Sequence, residues 1–118
     1  PQPSSVTLGR EMFREALARV PTLDSVFCNN DDIALGVLFE CNRAALAVPG
    51  KIGIAGFNDL EMMKVAYPSI TSVRTHRYQI GRLAIDMARA AMNGERPEKR
   101  TVDVGFQLEI RESTLRNQ

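Results

Sequence analysis

The stretch Val26-Phe-Cys-Asn-Asn-Asp-Asp-Ile-Ala-Leu-Gly36 decides the fold that the sequence predicts. Its first three residues are apolar and favour a strand, and apolar residues recur at helical spacing from Ile33 onwards. Between them lie four Asn and Asp residues, which cap helices well and complement the helix dipole. We therefore predict a buried strand that turns directly into a helix. In a parallel sheet such turns lie at the carboxyl edge of the strands, where ligands bind.

The alternation of strands and helices continues on both sides of this turn. Strands are predicted at 25–28, 52–57, 70–75, 101–104 and 106–111, and helices at 6–19, 31–45, 60–66 and 78–93. Strands that alternate with helices form a mostly parallel sheet with helices on both faces. The predicted fold class is therefore α/β, in three layers.

Composition excludes several classes of protein. The chain has 118 residues, of which 44% are hydrophobic, and a net charge of +1, which suits one domain or part of one. The near-neutral charge, without a basic run, argues against a nucleic-acid-binding surface, and no segment reaches transmembrane length. Cys28 and Cys41 fall at predicted buried positions, so we expect reduced core thiols and a cytoplasmic protein. Because the sequence opens on proline rather than methionine, we expect a piece of a longer protein.

The common signatures of enzymes are missing from the sequence. It contains no phosphate-binding loop, no GxGxxG and no GxSxG. His76 is the single histidine and has no second His or Cys at ligand spacing, so we predict no metal site and no cofactor. A nucleophilic pair of Cys28 and His76 stays open as a remote alternative, because a cysteine within an apolar strand is usually a core residue. We predict that the protein is not an enzyme.

Polar side chains follow three successive predicted strands and suggest a binding site instead. Asn30 follows the first strand, Asn58 the second, and Thr75, His76 and Arg77 end the third. Neighbouring parallel strands would bring these groups to one cleft, as a small polar ligand requires. The alternative is that Asn30 and Asn58 only cap helices, and that Arg77 is a solvated residue at the start of a helix.

Five motifs, in order and spacing, resemble one family of regulators. They are Phe27-Cys-Asn-Asn-Asp-Asp-Ile-Ala-Leu-Gly36 followed by Val48-Pro49, then Gly53-Ile-Ala-Gly-Phe-Asn-Asp59, Pro68-Ser-Ile-Thr-Ser-Val73, Gly81, and Ile110-Arg-Glu-Ser-Thr114. They resemble the lactose-repressor/galactose-repressor (LacI-type) transcription regulators, and within that family most closely the gluconate repressors. The resemblance covers nearly the whole chain. It implies the C-terminal part of a two-lobed, periplasmic-binding-protein-like sugar-binding domain, which dimerises and carries no DNA-binding headpiece of its own.

The resemblance also implies where segments and ligand contacts lie. Residues 78–104 are expected to cross to a first lobe that this sequence does not contain. Asn30, Asn58 and Thr75 match positions that contact the effector in family members. The family commonly has aspartate in place of Asn58 and glutamine in place of Thr75. Because a neutral amide beside Arg77 suits a carboxylate better than an aspartate does, the sequence predicts a sugar acid such as gluconate as effector.

A dimer surface is expected on the second helix and on the segment that follows Asn58. Both regions carry more apolar residues than one buried face needs. Deeper burial within the lobe is the alternative. The predicted interface residues are Leu35, Leu38, Phe39, Met62, Met63 and Ala66.

Together these features predict the effector-binding and dimerising part of a bacterial repressor that a small ligand switches. The second hypothesis is a periplasmic sugar-binding protein that serves a transporter, which shares the fold. A helix-turn-helix sequence ahead of this chain would favour the first hypothesis and a signal peptide the second.

Overall fold

A computed structural model describes residues 2–96 and 98–116. Four helices and four strands alternate along the chain. They are α1 (Val6–Arg19), β1 (Ser25–Phe27), α2 (Asp31–Arg43), β2 (Gly53–Phe57), α3 (Met62–Val65), β3 (Thr71–Thr75), α4 (Arg77–Met92) and β4 (Phe106–Glu109), followed by a 3₁₀ turn at Glu112–Thr114. The strand order is β1-β2-β3-β4, and β1 pairs with β2, and β2 with β3, in parallel. The prediction of a mostly parallel α/β fold is confirmed.

The chain separates into two compact units, and each is described by itself. The first comprises Pro1–Arg74 with Leu108–Gln118, and the second Thr75–Gln107. The first unit holds the apolar core. Its fully buried side chains come from α2, from β2 and the residue before it, from α3, and from the residue before β3: they are Ala34, Leu38, Cys41, Ile52, Ile54, Met63 and Ile70.

Helices α1 and α2 approach each other closely in the first unit. A Cβ atom on Gly36 would lie 2.2 Å from the backbone oxygen of Val6, so only glycine permits this approach. The buried Glu40 of α2 accepts hydrogen bonds from Arg10 at 3.2 Å and from Arg14 at 3.1 Å on α1. The hydrogen bond from Arg14 is the main reason that the pKa of Glu40 lies below its usual value. These ion pairs therefore hold helix α1 against helix α2.

The C-terminal segment of the first unit is tied to the sheet by Ser113, which is fully buried. Its hydroxyl donates to the backbone oxygen of Ile54 at 2.5 Å and accepts from the N–H of Thr71 at 2.9 Å. The 3₁₀ turn is thereby held against both β2 and β3.

Two expectations about the strands are corrected by the structure. Residues 101–104 form no strand, and none of the strands in the described ranges pairs with them. The first strand is less buried than predicted: Phe27 is 66% exposed and only Cys28, directly after the strand, is buried. The reason is that β1 ends the strand order and has a partner on one side only.

Among the described residues, α4 is the one long helix without any buried side chain. In the second unit its residues Leu83 and Met87 are half-buried, and Ile80 is 46% exposed. They border a groove of about 260 Å³ together with Val102 and Val104. No helix within the described ranges is long and apolar enough to cross a membrane.

Candidate functional site

Asn30 and Asn58 lie at the carboxyl edge of the sheet in the first unit. Asn30 follows β1 and Asn58 follows β2, and these two strands are parallel neighbours with Phe27 paired to Ala55. The backbone N–H of Asn58 in turn donates to the oxygen of Val73 on β3, at 2.9 Å. Both asparagines are half-buried. The structure therefore brings these two predicted site residues to one edge.

Asn30 is the N-cap residue of α2, as the capping interpretation predicts. Its side-chain oxygen accepts a hydrogen bond from the N–H of Asp32 at 2.8 Å. The carbonyl of the amide is thus occupied by the helix, whereas its NH₂ group donates to none of the described residues. The NH₂ group of Asn30 is therefore a hydrogen-bond donor without a described acceptor at this edge.

Asn58 does not cap a helix, so the capping interpretation is wrong at this position. Helix α3 begins at Met62 and its N-cap residue is Glu61. Asn58 adopts a φ of 108° and the next residue, Asp59, a φ of 53°. The hydrogen bonds that the structure describes in this turn involve its backbone and Asp59, and none involves the Asn58 side chain. The amide of Asn58 is therefore left without a hydrogen-bond partner among the described residues.

Two buried carboxylates behind this edge were not identified as site residues from the sequence. The sequence suggested only a helix-dipole role for Asp31, but its side chain is 0% exposed and reaches across to the turn after β2. Its Oδ2 accepts from the N–H of Leu60 at 2.7 Å and its Oδ1 from the hydroxyl of Ser72 at 2.7 Å. The Ser72 hydroxyl also accepts from the N–H of Asp59 at 3.1 Å.

The second carboxylate, Asp59, is neutralised by two arginines. Arg111 donates to its Oδ1 at 2.6 Å and Arg74 to its Oδ2 at 2.9 Å, and Arg74 also pairs with Glu109 at 3.1 Å. Burial alone would raise the pKa of Asp59, but the hydrogen bonds from Arg111 and Arg74 outweigh burial and lower it. No signal in the sequence identifies these partners, because they lie 15 and 52 residues away along the chain.

Thr75 and Arg77, the other two predicted ligand residues, belong to the second unit. The hydroxyl of Thr75 is buried and finds no hydrogen-bond partner among the residues described. Arg77 is exposed and begins α4, whose N-cap residue is His76. That these residues share a ligand with Asn30 and Asn58 stays a prediction.

The thiol of Cys28 has the wrong properties for a nucleophile. Burial, with a smaller contribution from Asp31, raises its pKa to about 11, so the thiolate is scarce at neutral pH. Within the ranges 2–96 and 98–116, no group of three or more His, Cys, Asp or Glu side chains is arranged to hold a metal ion.

The predicted dimer surface needs a correction at two positions. Leu38 is 1% exposed and Met63 is 0% exposed, because both side chains fill the core of this same unit. Neither has surface left for a partner chain. Phe39 is 46% exposed and the other three, Leu35, Met62 and Ala66, are half-buried. An interface formed by these four residues remains a prediction.

Comparison with known proteins identifies relatives along almost the entire chain. A family model described as a periplasmic binding protein-like domain matches residues 2–114. The HTH-type transcriptional regulator IdnR of Escherichia coli K12 is 46% identical over 105 residues, which cover 89% of this chain and 32% of IdnR. The HTH-type transcriptional regulator GntR of Pseudomonas aeruginosa PAO1 is 44% identical over 114 residues, which cover 97% of this chain and 33% of that protein.

A solved structure of a transcription regulator is also similar to this chain. The transcription regulator GntR from Chromobacterium violaceum superposes with a TM-score of 0.89 at 42% identity, over 97% of this chain and 42% of that one. The chain spans about a third of the length of the curated relatives, 32% and 33% of the two above. The chain belongs to the periplasmic binding protein-like domain family and corresponds to the C-terminal lobe of that domain in LacI-type transcription regulators.

Proposed function

We propose that this chain forms the effector-binding and dimerising lobe of a bacterial LacI-type repressor. Its effector is a sugar or a sugar acid such as gluconate, and operator DNA is bound by a headpiece outside these residues. The protein acts in the cytoplasm and is not an enzyme. The relatives described above are transcription regulators, which favours this function over that of a transporter's binding protein.

The observation that carries the proposal is the conformation of Asn58. Its φ of 108° is unfavourable for a residue other than glycine, and its side chain forms none of the hydrogen bonds described in this turn. Strained residues of this kind cluster at active sites, ligand clamps and switch regions, which supports a ligand-contacting role for this side chain. Because the resemblance also implies an effector contact at this position, we assign that role to the Asn58 amide.

The charge of the available groups favours an anionic effector. Asn30 and Asn58 are neutral, and the carboxylate of Asp59 is occupied by Arg74 and Arg111. We propose that Thr75, whose buried hydroxyl lacks a described partner, and Arg77 complete the site. The Arg77 guanidinium would form a bidentate pair with the carboxylate of a sugar acid.

Calorimetry on the full-length regulator tests the choice of effector. Gluconate should bind at least tenfold more tightly than glucose, and Arg77→Ala should erase most of that preference. Arg82→Ala, at another exposed arginine of α4, is the control and should leave the preference unchanged. Equal affinities for the two ligands, or a preference that survives Arg77→Ala, would refute the sugar-acid assignment while leaving the regulator assignment intact.

The proposed dimer is tested separately by sizing. Phe39→Ser removes an apolar side chain that is 46% exposed on α2, so it should weaken the dimer, because exposed aromatic residues contribute strongly to interfaces. Met12→Ser, at a position that is 52% exposed on α1, is the matched control and should leave the dimer unchanged. Equal effects of the two substitutions would argue against this surface.

In the intact regulator, effector binding must discriminate between two arrangements of the protein. A ligand shifts the equilibrium between DNA-binding-competent and incompetent states only by the difference of its affinities for them. We propose that the effector contacts both lobes and thereby favours one arrangement. Fluorescence anisotropy of labelled operator DNA, titrated with gluconate, should show release of DNA. Unchanged DNA binding at saturating gluconate would exclude gluconate as the inducer.

A further inference from the structure

We propose that Asp31 is a positioning residue that fixes Asn30 and Asn58 relative to each other, although it touches no ligand itself. This inference rests on the proposed function, because it concerns the same effector site. Neither the capping of α2 nor the composition of the turn after β2 suggests this positioning role. The role follows from the hydrogen bonds that join the start of α2 to that turn.

The turn after β2 needs external support. Asn58 and Asp59 have consecutive positive φ values of 108° and 53°, and neither is glycine. Such a pair persists only where the surrounding structure determines it. The three backbone N–H groups of residues 58, 59 and 60 all donate to acceptors outside the turn.

Asp31 provides most of that support. One of its oxygens accepts from the N–H of Leu60 at 2.7 Å, and the other from the hydroxyl of Ser72 at 2.7 Å. The same hydroxyl accepts from the N–H of Asp59 at 3.1 Å. Two of the three N–H groups are thus held by Asp31, one directly and one through Ser72. Because Asp31 is fully buried, water does not compete for these bonds.

The same carboxylate is also fixed to the other ligand residue. Asp31 is the first residue of α2 and directly follows Asn30, whose side chain caps that helix. The carboxylate packs tightly against β2, since a Cβ atom on Gly56 would lie 2.4 Å from its Oδ1. Asp31 is therefore closely packed on the side of β2, and its hydrogen bond to Leu60 joins the start of α2 to the turn that contains Asn58.

Asp31→Asn and Ser72→Ala in the full-length regulator test this role. Asparagine keeps the shape of the side chain but has one acceptor oxygen, so it cannot serve Leu60 and Ser72 as the carboxylate does. Gluconate binding, measured by calorimetry, should weaken at least tenfold in Asp31→Asn and to a smaller degree in Ser72→Ala. Glu40→Gln is the matched control: it disturbs another buried carboxylate of α2 and its arginine pairs, and it should leave affinity within about twofold.

A double-mutant cycle separates positioning from general destabilisation. Once Asn58→Ala has removed the positioned amide, adding Asp31→Asn should weaken binding by less than about threefold, because coupled residues are non-additive. Additive effects would overturn the inference. So would wild-type affinity in Asp31→Asn.

Amide hydrogen exchange gives a readout that requires no effector. The N–H of Leu60 should exchange at least tenfold faster in Asp31→Ala than in Glu40→Gln, because alanine offers no acceptor for it. Unchanged exchange at residue 60 would overturn the inference even if affinity fell. If wild-type protein binds neither gluconate nor glucose, the proposed effector fails, and the exchange rates still decide whether Asp31 holds the turn.

Discussion

Replacing Asn58 by glycine should stabilise the lobe and, at the same time, impair effector binding. A non-glycine residue in a sparsely populated positive-φ region costs about 1–3 kcal/mol. Glycine relieves this cost at φ 108°, but it adds unfolded-state entropy of about 0.5–1 kcal/mol. Since the Asn58 side chain forms none of the described hydrogen bonds, the balance predicts a gain of about 0–2.5 kcal/mol in the free energy of unfolding.

Urea unfolding of three variants checks this balance. Asn58→Ala should destabilise the lobe, because alanine at positive φ retains the strain and tolerates that region less well than asparagine. Asn30→Ala is the contrast at an extended residue, φ −153°, and should cost about 0.5–2 kcal/mol through the lost helix cap. A loss of more than 1 kcal/mol in Asn58→Gly, on the order of a lost cap, would refute the reasoning. It would show that the amide of Asn58 stabilises the fold rather than the bound ligand.

Three further predictions concern acid stability, thiol reactivity and association. Because the hydrogen bonds from Arg111 and Arg74 hold the folded-state pKa of Asp59 below its ordinary value, its ion pairs should add stability above that ordinary value and lose it as the pH falls through the lower folded pKa. The stability gap between wild type and Asp59→Asn, from urea unfolding between pH 7 and 2, should therefore shrink in acid; a constant gap would contradict this. Cys28 and Cys41, both with a pKa raised to about 11, should react with a thiol reagent at pH 8 far more slowly than after unfolding, and fast labelling of the native chain would revive the nucleophile hypothesis. The 118-residue chain should sediment as a dimer or larger species that Leu83→Glu diminishes, since the apolar face of α4 is incompletely buried; a monomer, or an assembly indifferent to this change, would contradict it.

Local patterns in the sequence predicted most of the elements to within a few residues. Ser5 caps α1 by accepting from the N–H of Leu8 at 3.1 Å, and Asn30 caps α2 in the same manner. Both caps act within three residues, so their signal lies in the nearby sequence. The prediction of a strand at 101–104 was wrong, because the residue pattern of a segment does not indicate whether a partner strand lies beside it.

The parts of the site that could not be predicted depend on distant residues. Asp31 finds its partners 29 and 41 residues further along the chain, at Leu60 and Ser72. One sequence contains no pattern for such a pairing, and an acidic residue in the first turn of a helix already has a sufficient local explanation. The burial of Leu38 and Met63 within the core could not be predicted for a related reason. Hydrophobicity alone does not distinguish a core position from an interface position.

At this edge the residues that hold the fold together differ from the residue that we propose to contact the effector. The identity of residue 58 can therefore determine whether the site prefers a neutral or an anionic ligand. The fold depends on Asp31 and Asp59, whose carboxylates are directed inwards at Leu60, Ser72 and the two arginines. The Asn58 side chain takes part in none of these bonds, so an aspartate at position 58 would leave them unchanged. It would instead present a negative charge without a described partner to the ligand, and would thereby disfavour a carboxylate relative to a neutral sugar. Under the proposed function, an exchange of asparagine for aspartate at position 58 should therefore change ligand preference at little cost in stability, because hydrogen bonds from neighbouring residues fix the turn.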